Sequence, residues 1–182
     1  MNEQVKRLVV GISGASGVIL GIRTLQVLRD MEIESHLVIS PAAKATIAAE
    51  TDWKISDVIA LADVVYNHGD IGAGIASGSF ETLGMVVIPC SIKTLSAGAN
   101  SFASDLLVRA ADVTLKEGRR LVLVVRETPL HSGHLRLMSE ASRTGAVIFP
   151  PVPAYYARPT SIANMVNDTV GRVLARIGIE NE

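Results

Sequence analysis

An apolar strand, a glycine-rich turn and a helix follow one another near the start of the chain, and this unit constrains the fold more than any other feature. The apolar run over residues 6–12 is typical of a buried strand, and the apolar spacing over residues 18–31 predicts a helix. Between them lies Gly11-Ile-Ser-Gly-Ala-Ser-Gly17. Helix N-termini present unpaired N–H groups and the positive end of the helix dipole. We therefore expect a phosphate-bearing ligand at residues 13–17.

The spacing of the three glycines restricts the kind of ligand. It differs from the G-x-G-x-x-G turn of dinucleotide-binding folds and from the G-x-x-x-x-G-K-[ST] turn of P-loop proteins. A tight strand-to-helix connection that binds nothing stays an open alternative for this motif alone.

Charge and apolar content exclude several classes of protein. The 182 residues include 17 Lys and Arg against 18 Asp and Glu, and the net charge of −1 gives no support for a nucleic-acid or anionic-membrane surface. No apolar run is long enough to span a bilayer, and no signal-peptide pattern is seen. A single cysteine excludes an intrachain disulfide, so we expect a cytoplasmic protein.

Strand and helix patterns alternate along the whole chain. Strands are predicted at residues 6–12, 35–40, 85–89, 120–125 and 146–149, and helices at 18–31, 41–50, 56–62 (with Ser56 as N-cap), 102–117, 134–143 and 161–177. Residues 69–78 and 150–159 are predicted loops. The alternation predicts a single α/β domain over residues 1–182, a three-layer, doubly wound parallel sheet of flavodoxin-like or Rossmann-like type.

Ligands in such folds bind outside the carboxyl ends of the strands, so the residues that follow each strand are candidate site residues. Ser40 follows the second strand, where dinucleotide folds usually carry an acidic residue for the ribose diol. Ser40 therefore favours FMN over NAD, although it is also a good N-cap for the next helix. Cys90-Ser-Ile-Lys-Thr94 follows the third strand and offers donors for a second polar group. Cys90 itself is expected to be a small buried residue.

Cations, hydroxyls and carboxylates complete the candidate set. Arg126 ends an apolar strand at the expected ligand edge, and Arg suits bidentate phosphate recognition. Glu50 and Glu127 are the candidate acid or base groups. Other groups that suit a second phosphate are Arg109, Lys116, Arg172, Tyr155 and Tyr156, although a solvated helix face is the simpler interpretation of each cation alone. His131 and His134 lack further ligands at zinc spacing, and no metal site is predicted.

Eight sequence blocks that occur in order together resemble one family, the UbiX-type flavin prenyltransferases, including those paired with hydroxyaryl acid decarboxylases. The resemblance covers nearly the whole chain. The blocks are Gly11-Ile-Ser-Gly-Ala-Ser-Gly17, Glu50-Thr-Asp52, Ile75-Ala-Ser-Gly-Ser79, Pro89-Cys-Ser91, Arg109-Ala-Ala-Asp112, Leu115-Lys-Glu-Gly118, Arg126-Glu-Thr-Pro-Leu130 and Pro151-x-Pro-x-x-Tyr156.

This resemblance implies a flavodoxin-like homo-oligomer, usually a dodecamer, that needs no metal. Its members join dimethylallyl monophosphate to N5 and C6 of reduced FMN, with phosphate as the leaving group. The product is the cofactor of UbiD-type decarboxylases.

The resemblance also implies a role for individual residues. Those that match FMN-binding positions are Gly14, Ala15, Ser16, Ser40, Ser91, Ile92, Lys93, Thr94 and Arg126. Tyr156 and Arg172 match positions that hold the prenyl phosphate, assisted by Arg109, Lys116 and Glu127, while Glu50 and Ser16 match residues that handle protons.

Two features depart from the family pattern, and two other functions stay open. Many members have Ser-Met-Gly-Thr in place of Ser91-Ile-Lys-Thr94, and several have a Trp before the Ile75 block, where residues 71–74 contain no aromatic. One alternative is an FMN-binding carrier or partner subunit of a decarboxylase without turnover of its own. The other is a flavin-dependent cysteine decarboxylase, although that group carries Pro-Ala-Ser-Ala-Asn-Thr where this chain has Cys90-Ser-Ile-Lys-Thr94.

Overall fold

A parallel sheet of six strands forms the centre of the protein in a computed structural model that describes residues 6–180. The strand order is β3-β2-β1-β4-β5-β6, and every neighbouring pair is parallel. The strands are β1 (Arg7–Ile12), β2 (Glu34–Ile39), β3 (Val64–Tyr66), β4 (Gly84–Cys90), β5 (Arg120–Val125) and β6 (Val147–Ile148). The predicted doubly wound parallel sheet is confirmed.

In the described part of the chain, seven α-helices connect and cover the strands. They are α1 (Val18–Asp30), α2 (Pro41–Glu50), α3 (Ile55–Ile59), α4 (Ile92–Ala99), α5 (Leu106–Lys116), α6 (Ser132–Arg143) and α7 (Ile162–Ile177), and short 3₁₀ helices occur at Gly74–Ala76 and Tyr155–Ala157. Within residues 6–180, no helix combines the length and the apolar character needed to cross a membrane.

Each face of the sheet has its own apolar core, because successive side chains of a strand point to opposite faces. In β1, Leu8, Val10 and Ile12 belong to the core that α1 and α7 cover. Val9 belongs to the opposite core, which α4, α5 and α6 cover. All seven residues of β4 are buried, as expected for a central strand between two helical layers.

The third strand of the chain, β3, was not predicted. It has only three residues, and it pairs with β2 at the edge of the sheet through His36 and Val64, Leu37 and Val65, and Val38 and Tyr66. Three residues are too few for a periodic pattern. The β-branched and aromatic run before the turn at 67–69 is the signal that would have indicated it.

Several predicted helix starts were wrong. The helix predicted at 134–143 begins at Ser132, with His131 as its N-cap. The helix predicted at 102–117 begins only at Leu106, because the Asp105 carboxylate accepts a hydrogen bond from the Val108 N–H and caps it, and a separate helix, α4, precedes it. Lys54, not Ser56, occupies the N-cap position of α3. Of Asp105 and Lys54, only Asp105 sets its boundary by a side-chain cap, because the side chain of Lys54 makes no capping hydrogen bond.

Candidate functional site

The carboxyl ends of β1 and β4 meet at the point where the chain changes direction across the sheet. From β1 the chain continues to β2 on one side, and from β4 it continues to β5 on the other. The crevice outside such a switch point is the usual ligand site of doubly wound sheets. It brings together the turn at residues 13–17 and the turn at residues 91–94.

Ser13 ties these two turns together. Its backbone N–H and its hydroxyl both donate to the carbonyl oxygen of Pro89, at 3.2 and 2.9 Å. Its Oγ accepts a hydrogen bond of 2.7 Å from the backbone N–H of Ser91. Since Ser13 is buried, these contacts fix the relative position of the two turns from the core side. The solvent-facing side of the turns can therefore contact a ligand.

Gly14 and Ser40 form one wall of the crevice. A Cβ on Gly14 would lie 2.4 Å from the Cβ of Ala42, so the turn packs directly on the first turn of α2. The Oγ of Ser40 accepts a 3.1 Å hydrogen bond from the Ala43 N–H and caps that helix, as predicted. The hydroxyl proton of Ser40 is still available to donate to a ligand.

The Glu50 carboxylate lies at the N-terminus of α1. Its Oε2 accepts a 2.8 Å hydrogen bond from the backbone N–H of Gly17, the N-cap residue, which has φ +93°. Helix α1 has no side-chain cap and no acidic residue in its own first turn. The Glu50 carboxylate therefore serves as both the cap and the negative charge at the N-terminus of α1. This contact explains why an acidic residue lies at the C-terminal end of α2, where the helix dipole disfavours it.

The 91–94 turn forms the opposite wall. Ser91 caps α4 by accepting a 3.3 Å hydrogen bond from the Thr94 N–H, and its hydroxyl donates to Thr94 Oγ1 at 3.1 Å. Ile92 is half-buried. The Lys93 ammonium lies 3.4 Å from the buried Asp105 carboxylate, which is also 3.4 Å from His68 Nε2.

Sequence reasoning missed Asp105 as a member of this region. Its carboxylate joins the start of α4, the start of α5 and the loop after β3, so it helps to position the 91–94 turn. The N-cap pattern Ser104-Asp105 before an apolar helix is the sequence feature that could have indicated this residue.

The Cys90 thiol is part of the core. Burial raises its pKa to about 12, so it carries no thiolate at neutral pH. Cys90 is therefore a packing residue, as expected, and not a nucleophile.

Arg126 and Glu127 follow β5 at the same edge of the sheet. The backbone N–H of Arg126 donates to the carbonyl of Cys90 at 3.1 Å, while both side chains are exposed. The Glu127 carboxylate accepts a 3.0 Å hydrogen bond from the Thr128 N–H. Ser16 is exposed on the first turn, and Ala15 beside it is buried.

Tyr156 and Arg172 lie on the segment after β6. Tyr156 belongs to the second 3₁₀ helix and is 83% exposed, with Tyr155 beside it at 72%. The Arg172 guanidinium lies 3.8 Å from the Asp168 carboxylate, and its Cζ lies 5.7 Å from the ring centroid of Phe149. Phe149 follows β6 directly, which places Arg172 near the carboxyl edge.

Arg109 and Lys116 are separated along α5. Arg109 is in the first turns of the helix and pairs with Asp112 at 3.2 Å. Lys116 ends the helix at the amino edge of the sheet, pairs with Glu117 and lies beside Gly78. A single copy of the chain therefore does not bring Lys116 to the crevice that contains residues 13–17.

No group of three or more His, Cys, Asp or Glu side chains suited to a metal ion occurs in the described part of the chain. The rings of His131 and His134 lie at the start of α6, tilted by 31° to each other with their centroids 3.6 Å apart.

Comparison with known proteins gives a family. The family model described as Flavoprotein matches residues 1–170. A curated relative from Escherichia coli strain K12, named flavin prenyltransferase UbiX, is 62% identical over 175 residues, which are 96% of this chain and 93% of that protein. The chain belongs to the UbiX family of flavin prenyltransferases.

Solved structures of UbiX-type proteins share the whole fold. A crystal structure of AnUbiX (PadA1) in complex with FMN and dimethylallyl pyrophosphate has a TM-score of 0.96 and 52% identity, and the match covers 97% of this chain and 94% of that one. A dodecameric FMN-dependent UbiX-like decarboxylase from Escherichia coli O157:H7 has a TM-score of 0.94 and 50% identity, with 96% of both chains covered.

Proposed function

We propose that this UbiX-family protein transfers a dimethylallyl group from dimethylallyl monophosphate to reduced FMN and releases phosphate. The observation that carries the proposal is the set of polar groups around the carboxyl ends of β1 and β4, with the Glu50 carboxylate held on the N-terminus of α1. The new bonds are to N5 and C6 of the flavin, and no metal takes part.

The crevice fits FMN because its walls combine close backbone approach with hydroxyl and cationic groups. Gly14 has no side chain and the small Ala15 side chain is buried, so the backbone of the turn is open to a ligand, while the lack of a Cβ on Gly14 lets the turn pack on Ala42. The residues that would hold FMN are Gly14, Ala15, Ser16, Ser40, Ser91, Ile92, Lys93, Thr94 and Arg126. Lys93 would contribute through the position of its backbone, because its ammonium pairs with Asp105. FMN supplies the nucleophilic ring to which the prenyl group is attached.

Cations and a phenol bind the phosphate and stabilise the charge that grows on it as it leaves. Tyr156 and Arg172 hold the phosphate, and Arg109 and Glu127 assist at its rim. Hydrogen-bond donors placed in advance stabilise such developing charge without reorganisation. A site closed to water would keep the allylic cation from being captured by it.

Glu50 and Ser16 would handle the protons of ring closure, in which the double bond of the prenyl group gains one proton and C6 loses one. The Gly17 N–H holds one oxygen of the Glu50 carboxylate at 2.8 Å, which leaves the other oxygen to accept a proton from the ligand directly or through the Ser16 hydroxyl.

Assembly would complete the site. Lys116 lies at the opposite edge of the sheet, so it reaches a phosphate only in another copy of the chain. A homo-oligomer, with the dodecamer of the E. coli O157:H7 relative as its precedent, would supply it. The product would pass to a UbiD-type decarboxylase. The cytoplasmic location and the single domain over residues 1–182 stay predictions from the sequence.

The direct test incubates the purified protein with reduced FMN and dimethylallyl monophosphate without oxygen. Mass and absorbance spectra of the bound flavin should show the added prenyl group, and a reaction without the prenyl phosphate is the control. Tight FMN binding without any prenylated flavin, together with co-purification of a decarboxylase, would instead support a carrier subunit.

A complementation experiment tests the shared site. Glu50→Gln and Lys116→Ala should each lose most of their activity alone, because each removes one part of every site. Co-expressed, they should form mixed oligomers in which some sites contain Glu50 from one copy and Lys116 from another, and prenylation should return. No recovery from demonstrated mixed oligomers would place Lys116 outside the site.

A further inference from the structure

A pocket of about 300 Å³ lies between the second 3₁₀ helix and the start of α7. Its lining includes Arg158, Asn164 and Asp168. Tyr156 lies two residues before Arg158, and Asp168 pairs with Arg172. The pocket therefore lies between the two segments that carry the residues proposed to hold the prenyl phosphate, and Arg158 has no part in that proposal.

The backbone of Arg158 is strained for an arginine. Its φ and ψ are +50° and +55°, in the left-handed region, and Pro159 follows it. Residues with a Cβ are disfavoured in this region, and a following proline restricts the backbone further. Glycine is the residue that this conformation favours. Glu32 and Ser101 share this backbone region, so the strain makes Arg158 a candidate for a functional side chain and the surroundings of the side chain must decide its role.

The charges around the pocket leave one cation without a partner. The Asp168 carboxylate is balanced by the Arg172 guanidinium at 3.8 Å. The guanidinium of Arg158 makes no hydrogen bond or ion pair with any residue in the range 6–180. The charges of Arg158, Arg172 and Asp168 therefore sum to +1, which favours an anionic ligand.

Asn164 adds a neutral donor to the same lining. Its Oδ1 accepts hydrogen bonds from the Thr160 N–H, the Thr160 hydroxyl and the Ser161 hydroxyl, at 3.3, 2.9 and 3.0 Å. This fixes the amide group, and its NH₂ is left to donate to a ligand.

We propose that Arg158 is a third binding residue for the phosphate of the prenyl substrate, beside Tyr156 and Arg172. The inference rests on the proposed function for the identity of the anion. A guanidinium donates two parallel hydrogen bonds to phosphate oxygens, and the fixed backbone at Arg158 reduces the freedom lost on binding.

The test uses Arg158→Gly, which removes the side chain and relieves the backbone, so loss of folding is not expected. Its matched control is Glu32→Gly, because Glu32 is also exposed with a positive φ of 55° but lies after α1, at the amino edge. Binding of dimethylallyl monophosphate to the protein loaded with oxidised FMN is measured by calorimetry, together with the KM for prenylation and the melting temperature.

Arg158→Gly should raise both the Kd and the KM for dimethylallyl monophosphate about tenfold or more, with unchanged FMN affinity and a melting temperature no lower than that of the wild type. Arg158→Lys should recover part of the loss, since it keeps the charge but not the paired donors. Glu32→Gly should leave both constants unchanged.

Unchanged Kd and KM in Arg158→Gly, in a wild-type background that prenylates FMN, would overturn the inference and leave the proposed function intact. A wild type that binds dimethylallyl monophosphate but does not prenylate FMN would contradict the proposed function, while the Kd values would still decide the role of Arg158. A wild type that does not bind this ligand would contradict both.

Discussion

The two sides of the proposed site are built in opposite ways. On one side, which we call the flavin edge (residues 13–17, 40, 50 and 91–94), buried hydrogen bonds from Ser13 and the Glu50 contact with Gly17 fix the backbone. On the other side, the phosphate loop (residues 155–158), the side chains of Tyr155 and Tyr156 are mostly exposed.

This difference separates the two binding tasks. The flavin edge is held by one copy of the chain, so it is formed before any ligand arrives. The phosphate loop presents its functional groups outward, so ligand, a neighbouring copy or both must cover them before they act in a dry environment. Changes at the flavin edge should therefore affect folding and flavin affinity, whereas changes in the phosphate loop should affect only the prenyl substrate.

The largest expected contrast is in thiol reactivity. Cys90 is fully buried at the end of β4, and burial raises its pKa to about 12. A Tyr155→Cys variant places a thiol at a position that is 72% exposed. A disulfide reagent at pH 8 should label the new thiol about 10³-fold faster or more, because Cys90 reacts only when the core opens. A Cys90→Ala background separates the two signals, and similar rates would show that the core beneath the flavin edge is not closed.

Glu50→Gln should reduce prenylation about 10²-fold or more, because the amide no longer accepts the proton. Its oxygen still accepts the Gly17 N–H, so FMN affinity and melting temperature should stay close to those of the wild type. Single-turnover spectra of the flavin measure the loss. Asp52→Asn, an exposed neighbour, is the control, and an equal rate in both variants would remove Glu50 from the chemistry.

Gly14→Ala should weaken FMN binding about tenfold or more, since the new methyl group must push Ala42 and the start of α2 away from the crevice. Flavin fluorescence titration measures the Kd. Adding Ala42→Gly should restore part of the affinity, because it removes the nearest atom, 2.4 Å away. Gly98→Ala, where a Cβ meets nothing within 4 Å, should change neither affinity nor fold. Full affinity in Gly14→Ala would contradict a rigid flavin edge.

Tyr156→Phe should have the smallest effect, a rise of about two- to tenfold in the KM for dimethylallyl monophosphate, which is the loss of one hydrogen bond. Melting temperature and FMN affinity should not change, because the side chain is 83% exposed. Tyr155→Phe is the matched control on the same 3₁₀ helix. A larger rise in the KM for Tyr155→Phe than for Tyr156→Phe would assign phosphate binding to Tyr155 in place of Tyr156.

The sequence predicted the flavin edge more completely than the phosphate loop. Residues 13–17 and Ser40 follow strands that the apolar pattern identified, and the helix cap at Ser40 was predicted. The contact of Glu50 with Gly17 joins the end of one helix to the start of another across 33 positions, so the sequence did not predict it. The only indication was that Glu50 is a carboxylate at a helix C-terminus, where the helix dipole disfavours it.

The prediction of the phosphate-binding residues depended on the family resemblance, because exposed Arg and Tyr residues have no periodic pattern in the sequence. Arg158 was missed for a similar reason: its left-handed backbone is not marked by a glycine. Lys116 was grouped with the site by motif alone, and the sheet places it at the far edge.

By itself, the sequence determined the doubly wound parallel sheet, because apolar runs of strand and helix period alternate along the chain and parallel strands need helical crossovers. It also determined which turns lie at the carboxyl edge. Only the tertiary structure decided that Ser13 bridges two turns, that Glu50 caps α1 and that the Asp105 carboxylate anchors Lys93. These contacts join residues 12 to 78 positions apart, and their geometry exists only once the two cores have packed the strands and helices together.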